Sequence, residues 1–142
     1  MSADDNTLPL PPSPVVSGVP HLYVINSDEE FLDLIRDILS DERIHVTVEQ
    51  MRPNVEVTLG NLRAARPDLV LIDVVPYQQD AARLLRALAA AIELPVMLAS
   101  TRPQAAEALA QQYPQLVREV LSKPFEIEDF FVKLRHLIGM NT

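Results

Sequence analysis

The 142-residue chain contains no cysteine, and its three histidines are scattered. It can therefore form no disulfide, no thiolate metal site and no cysteine nucleophile, and the histidines lack the spacing of a zinc site. No segment reaches the roughly 18 consecutive apolar residues that a membrane-spanning helix needs, and acids stand near the amino terminus where a signal peptide has Lys or Arg. We expect a cytoplasmic protein with no membrane partner, whose chemistry uses carboxylates, hydroxyls and lysine.

Positive charge is also scarce. The chain has 12 basic and 20 acidic residues, for a formal net charge of −8. Binding to nucleic acid depends on Lys and Arg neutralising phosphates, so this balance argues against a nucleic-acid partner. An acidic surface facing a basic protein is compatible with it. The length and the 48% apolar content suit one globular domain with a single core.

The first 20 residues differ from the rest of the chain in composition. Residues 1–20 hold five prolines among small and polar residues. This composition favours an extended, polyproline-like chain and lacks bulky core-forming residues. We interpret residues 1–20 as a disordered tail or linker and residues 21–140 as the domain. The alternative is a Pro-rich ligand for an aromatic groove.

From residue 21 onward, short apolar runs alternate with longer segments of helical period. The runs predict strands at His21–Asn26, His45–Glu49, Asp68–Asp73, Pro95–Ser100 and Val117–Ser122. The third and fourth runs are apolar throughout their interiors, as is typical of central strands in a sheet that is covered on both faces.

Five helices are predicted between and after these strands. The first, around Phe31 to Leu39, and the last, Ile127–Ile138, keep apolar residues at i, i+3 and i+4. Ser27 or Asp28 can cap the first helix, and Gly139 is placed to end the last one. The other three are predicted at Val55–Arg66, Gln79–Ala91 and Pro103–Gln112. Five βα units in a row predict an α/β fold with a doubly wound, five-stranded parallel sheet and functional sites at the carboxyl ends of its strands.

Polar residues follow four of the predicted strands. They are Asn26, Ser27 and Asp28, then Asp73, then Ser100 and Thr101, and finally Lys123 and Pro124. Three segments that contain them, Pro67–Asp73, Leu94–Ser100 and Ser122–Phe125, resemble the signatures of the two-component response-regulator receiver domain, in that family's order. The resemblance extends over about residues 21–140, and it implies the flavodoxin-like (βα)5 receiver fold with strand order 2-1-3-4-5.

The resemblance also implies a role for each of these residues. Asp73 would accept a phosphoryl group, Lys123 would pair with Asp73 and then with that group, and Ser100 would donate a hydrogen bond to it. Pro124 would shape the loop that presents Lys123, often through a cis bond. Purely structural interpretations stand beside these roles: Asp73 caps a loop or forms a buried ion pair with Lys123, and Ser100 bonds to backbone.

The largest departure from the family concerns the two adjacent acids that normally hold Mg²⁺ together with the acceptor. In the family, the apolar residues of the first helix follow the second acid at fixed spacings. Those spacings, counted from Ser27, lead to apolar residues, which places Asn26 and Ser27 in the positions of that pair. Both are neutral, so we expect no cofactor, or weakly bound Mg²⁺ with Asp73 as its ligand. Asp28 is a candidate substitute acid.

Three further departures affect loops and surfaces. The loop after Asp73 is one residue shorter than usual, which displaces the metal-contacting carbonyl expected near Val75. Val120 stands where many receivers have an aromatic switch residue. Residues 111–116 replace a short turn and change the face formed by the fourth helix, fifth strand and fifth helix, through which receivers dimerise.

We therefore predict an atypical receiver that is not an enzyme and acts mainly as a protein-interaction module, with reduced or lost phosphorylation. Its predicted partners are a histidine kinase or another signalling protein, and a second copy of the chain. The alternative is a functional Mg²⁺-dependent phosphoacceptor that a histidine kinase phosphorylates on Asp73. A phosphohydrolase of the haloacid-dehalogenase type also uses Asp, Ser or Thr, and Lys at strand ends, but it needs a second acid where this chain has Val75.

Overall fold

A computed structural model describes residues 19–26, 28–40, 42–74, 78–91 and 94–138. Predictions about the tail, Ser27, Val75 and Gly139 lie outside these residues. Within them, strands and helices alternate five times, as predicted. The elements are β1 His21–Asn26, α1 Glu29–Leu39, β2 His45–Gln50, α2 Val55–Ala65, β3 Leu69–Asp73, α3 Gln78–Ala91, β4 Val96–Ser100, α4 Pro103–Gln112, β5 Val117–Ser122 and α5 Ile127–Ile138.

The five strands form one parallel sheet in the order β2-β1-β3-β4-β5, which confirms the predicted fold class and strand order. The central strands β1, β3 and β4 are buried at every position, whereas the edge strands β2 and β5 are partly exposed. Helices that cover both faces remove the central strands from water, which explains their continuous apolar sequences.

The predicted element boundaries were wrong by one residue at several ends, for local reasons. Asp68 lies directly before β3, where its Oδ2 accepts a hydrogen bond from the backbone N–H of His21 at 2.7 Å. Helix α2 ends at Ala65 because Arg66 adopts a left-handed conformation, with φ of 49°, directly before Pro67. The backbone N–H of Arg66 still donates to the carbonyl of Leu62.

Two apolar clusters lie on opposite faces of the sheet. On one face, β1 contributes Leu22 and Val24, which pack with buried residues of α1 and α5. On the other face, Tyr23 and Ile25 pack with buried residues of α2, α3 and α4. Because successive side chains of a strand point to opposite faces, this alternation also decides which face each strand-end residue approaches. None of the helices in the described ranges is long and apolar enough to span a membrane.

A buried polar cluster holds α2 against the sheet. Glu49 on β2 is 8% exposed, and its carboxylate accepts hydrogen bonds from the hydroxyl of Tyr23, from Thr58 Oγ1 at 3.1 Å and from Asn61 Nδ2 at 3.0 Å. Burial is the main cause that raises the pKa of the Tyr23 hydroxyl, and the bond to Glu49 adds to the rise. Sequence analysis did not single out this cluster, because its members are distant in sequence and polar in type.

Candidate functional site

The candidate site lies at the carboxyl edge of the sheet, on the face covered by α1 and α5. Asp73 is the last residue of β3, in register with Ala99 on β4. Asn26 ends β1, one residue beyond the pair formed by Ile25 and Ile72. Side-chain alternation places Asn26 and Asp73 on the α1 and α5 face, and Ser100 on the opposite face.

Asp73 and Lys123 form a buried ion pair across the sheet edge. Nζ of Lys123 lies 2.6 Å from Oδ1 of Asp73, and the two side chains are 18% and 6% exposed. No hydrogen bond of ordinary geometry reaches this oxygen within the described residues, so the contact is best described as an ion pair. Burial raises the pKa of the Asp73 carboxyl above its ordinary value; Lys123 opposes this rise, and the negative charge of Asp28 adds to it.

Lys123 is held in place by more than its carboxylate partner. Its backbone N–H donates to the carbonyl of Ser100 at 2.8 Å, which continues the alignment of β5 with β4. The peptide bond to Pro124 is cis, as the resemblance implied. The ammonium group also lies 4.3 Å from the ring centroid of Phe31 on α1. Sequence analysis assigned Phe31 to the apolar face of α1 and missed this contact.

Asn26 and Asp28 are tied to each other and to the start of α1. Asn26 is 1% exposed, and its Oδ1 accepts a hydrogen bond from the backbone N–H of Asp28 at 2.7 Å. Its buried Nδ2 has no hydrogen-bond partner among the described residues. Oδ1 of Asp28 accepts from the backbone N–H groups of Glu30 and Phe31 at 3.0 and 3.4 Å. Asp28 is therefore the N-cap of α1, one of the two predicted caps.

Ser100 is fully buried and hydrogen-bonded to its own loop. Its Oγ accepts from the backbone N–H of Arg102 at 2.8 Å and donates to the Arg102 carbonyl at 3.0 Å. This arrangement matches the structural interpretation of Ser100, and a phosphoryl group would require its hydroxyl to turn away from Arg102. Thr101 is exposed, and Val120 packs against the cluster on the opposite face from Asp73.

The described residues of this pocket do not suit a tightly held Mg²⁺ ion. Mg²⁺ prefers an octahedral shell of oxygens that usually includes carboxylates. Among the described residues, no group of three or more His, Cys, Asp or Glu side chains is placed to hold a metal ion. The carboxylate of Asp73 already contacts an ammonium group at 2.6 Å, and its neighbour on β1 is the neutral Asn26.

Residues 112–116 line a cleft of about 670 Å³ together with Leu94, Pro95 and neighbouring side chains. These residues precede β4 and β5. The cleft therefore lies at the amino edge of the sheet, opposite Asp73, and it is separate from the candidate site.

Comparison with solved structures finds the same fold in response-regulator proteins. A receiver protein from Burkholderia phymatum is 22% identical with a TM-score of 0.65, and the match covers 84% of this chain and 95% of that one. The BeF3-activated N-terminal receiver domain of Klebsiella pneumoniae RstA is 21% identical with a TM-score of 0.70, over 83% of this chain and 97% of that one.

The protein has the fold of response-regulator receiver domains. A sensor protein from Polaromonas sp. JS666 shares this receiver fold, with 18% identity, a TM-score of 0.72, and coverage of 85% of this chain and 97% of that chain. No protein-family model and no curated protein matches the sequence. The structural likeness thus concerns the receiver fold, and the roles of Asp73, Ser100 and Lys123 within it are proposals.

Proposed function

We propose that this protein is a receiver-type signalling domain that acts mainly through protein contacts, with phosphorylation of Asp73 reduced or lost. The observation that carries the proposal is the buried Asp73–Lys123 ion pair, which stands beside the neutral Asn26. Phosphoryl transfer requires positive charge to offset the charge on the phosphoryl oxygens, and Mg²⁺ normally supplies much of it. Among the described residues of this pocket, Lys123 is the cation that remains for that task.

Asp28 does not offer a ready replacement for the missing acids. Its Oδ1 accepts the two backbone N–H groups that begin α1, so moving this carboxylate toward Asp73 would leave those donors unsatisfied. It would also bring a second negative charge toward a carboxylate whose pKa is already raised by burial. Both effects favour the N-cap position of Asp28 over a metal-binding one.

Receiver-type signalling implies a protein partner. We infer that a histidine kinase or another signalling protein binds residues 21–140, and that a second copy docks through α4, β5 and α5. The net charge of −8 supports a partner with a basic surface. A domain of this kind transmits a state to its partner and does not itself turn over a substrate.

Intact-mass measurement after incubation with acetyl phosphate and Mg²⁺ tests this proposal. The comparison uses wild type, Asp73→Asn and the double variant Asn26→Asp/Ser27→Asp, with folding checked by circular dichroism. We expect little or no phosphate adduct on wild type, none on Asp73→Asn, and a clear adduct on the double variant, because two new carboxylates would restore metal binding. A near-complete adduct on wild type that Asp73→Asn abolishes would overturn the proposal.

That overturning result would establish the second candidate, a phosphoacceptor modified on Asp73 by a histidine kinase. One observation favours it: Asp73, Ser100 and Lys123 lie at the same edge of the sheet although they are distant in sequence. The Asp73 and Lys123 side chains are in contact, and the backbone N–H of Lys123 donates to the Ser100 carbonyl at 2.8 Å. Isothermal titration with Mg²⁺ separates the candidates further. The phosphoacceptor requires measurable Mg²⁺ binding by wild type that is weakened in Asp73→Asn.

A further inference from the structure

The ammonium of Lys123 is enclosed between two groups of different chemistry. On one side, Oδ1 of Asp73 lies 2.6 Å from Nζ; on another, the ring of Phe31 has its centroid 4.3 Å away. An aromatic face attracts a cation through its quadrupole, and this attraction grows where water is excluded. With the side chain of Lys123 only 18% exposed, the ring contact is largely shielded from water.

Phe31 is also the first ring of a continuous aromatic column. Phe31 meets Phe125 edge-on at 6.3 Å and 89°, Phe125 meets Phe130 at 5.3 Å, and Phe130 meets Phe131 at 6.0 Å. The guanidinium of Arg135 then lies 5.4 Å from the ring of Phe131. These four rings are all the phenylalanines of the chain. The column therefore links the Asp73 pocket to Phe130 and Phe131 in the first half of α5.

On the opposite face, the ring contacts among the described residues involve His21, Tyr23 and His45, and none of them starts from the residues at the carboxyl edge of the sheet. Val120 on β5 packs into the cluster formed with α2, α3 and α4, and it is aliphatic. Among the described residues, the ring contacts that begin at Lys123 therefore run along the α1 and α5 face.

We propose that Phe31 is a positioning residue, whose ring holds Lys123 against Asp73 and joins this ion pair to the aromatic column on α5. The proposal rests on the proposed function in one respect, that the Asp73 pocket carries the signal. A change in the charge of Asp73 displaces Lys123 first, and the column passes that displacement to α5. The ring acts through Lys123, because among the described residues of the pocket it contacts the ammonium group.

The chain is well suited to a direct test by NMR, because Lys123 and Lys133 are its only lysines. Protons over an aromatic face are shielded, so the side-chain methylene signals of Lys123 should lie upfield of those of Lys133 in protein labelled with ¹³C-lysine. We expect Phe31→Leu to remove this upfield shift of the Lys123 signals and Phe31→Tyr to retain it. Phe131→Leu is the matched control, because it removes a ring of the same column that contacts Arg135 instead.

A second measurement tests the link to α5. In protein labelled with ¹³C-phenylalanine, Asp73→Asn should shift the ring signals of Phe125 and Phe131. In a Phe31→Leu background, the Phe131 shift caused by Asp73→Asn should fall by at least about half, and Phe31→Tyr should restore it. Equal Phe131 shifts in all three backgrounds, or an unshifted Lys123 signal in wild type, would overturn the proposal.

These measurements use the unmodified, metal-free protein. Their failure is therefore distinct from the failure of the proposed function, which depends on phosphate adducts and Mg²⁺. If Phe31→Leu loses its native circular dichroism, the comparison of wild type with Phe31→Tyr and Phe131→Leu still decides whether the Lys123 signal carries the ring shift.

Discussion

Replacing Lys123 with methionine tests how far the structure depends on having both charges at the carboxyl edge of the sheet. The variant keeps most of the apolar length of the side chain but leaves the carboxylate of Asp73, only 6% exposed, without its cation. Removing one partner of a buried ion pair typically costs about 3–5 kcal/mol. We expect about 3 kcal/mol, the lower end of this range, because Lys123 retains 18% exposure and water reaches the pocket edge.

Urea unfolding at pH 7, followed by circular dichroism, measures this cost. For a domain of this size, the free energy of unfolding falls by about 2 kcal/mol per molar urea, so the urea concentration at the unfolding midpoint should fall by about 1.5 M. In the double variant Asp73→Asn/Lys123→Met no charge is left unpaired, and we expect it to be more stable than Lys123→Met alone. Lys133→Met is the control, because its contacts with Glu119 and Asp129, at 3.6 and 3.7 Å, are partly exposed and contribute less than about 1 kcal/mol.

A loss below about 1 kcal/mol for Lys123→Met, equal to that of Lys133→Met, would refute the reasoning. It would mean that solvent screens the Asp73–Lys123 pair as it screens a surface pair. A double variant that is less stable than Lys123→Met would also contradict it, since the unpaired carboxylate would then not be the source of the cost.

Three further predictions follow from buried or strained residues and use the same unfolding assay. Burial lowers the pKa of His21 below its ordinary 6.5, so the unfolded chain takes up protons more readily and stability should fall from about pH 7.5 to 5.5. This fall should be smaller in His21→Gln and unchanged in the exposed-site control His136→Gln; equal slopes in all three would contradict it. Arg66→Gly should raise the free energy of unfolding by about 0.5–1 kcal/mol, because glycine adopts φ of 49° without steric cost, whereas Arg63→Gly within α2 should lower it by about 1 kcal/mol. Glu49→Gln should lower the free energy of unfolding by about 1–3 kcal/mol, because a buried acceptor of several hydrogen bonds becomes partly a donor. An unchanged free energy of unfolding would show that the polar cluster around Glu49 is hydrated.

Much of the fold follows from patterns along the chain. The runs that became β3 and β4 are apolar without alternation, and such runs occur in strands that are covered on both faces. The helical period of α1 and α5 likewise indicated one buried face for each helix. The strand order came from the resemblance carried by Asp73, Ser100 and Lys123, and not from hydrophobicity, because periodicity reports burial and does not identify neighbours.

The meeting of Asp73 and Lys123 was also predictable, because carboxyl ends of parallel strands lie at one edge of a sheet. Asn26 was likewise expected at this edge, because it ends the first predicted strand. Element ends were less predictable, since a left-handed Arg66 or a side-chain bond to His21 depends on local geometry that composition does not record.

Only the tertiary structure decided what each side chain at the edge contacts. It placed the ring of Phe31 over Lys123, committed the hydroxyl of Ser100 to the backbone of Arg102, and used the carboxylate of Asp28 to begin α1. A sequence pattern states which face a residue occupies, but a contact between two side chains depends on their rotamers and on the few ångströms that separate their elements. For Phe31 and Lys123, which belong to distant parts of the chain, the packing of α1 against the end of β5 sets that separation.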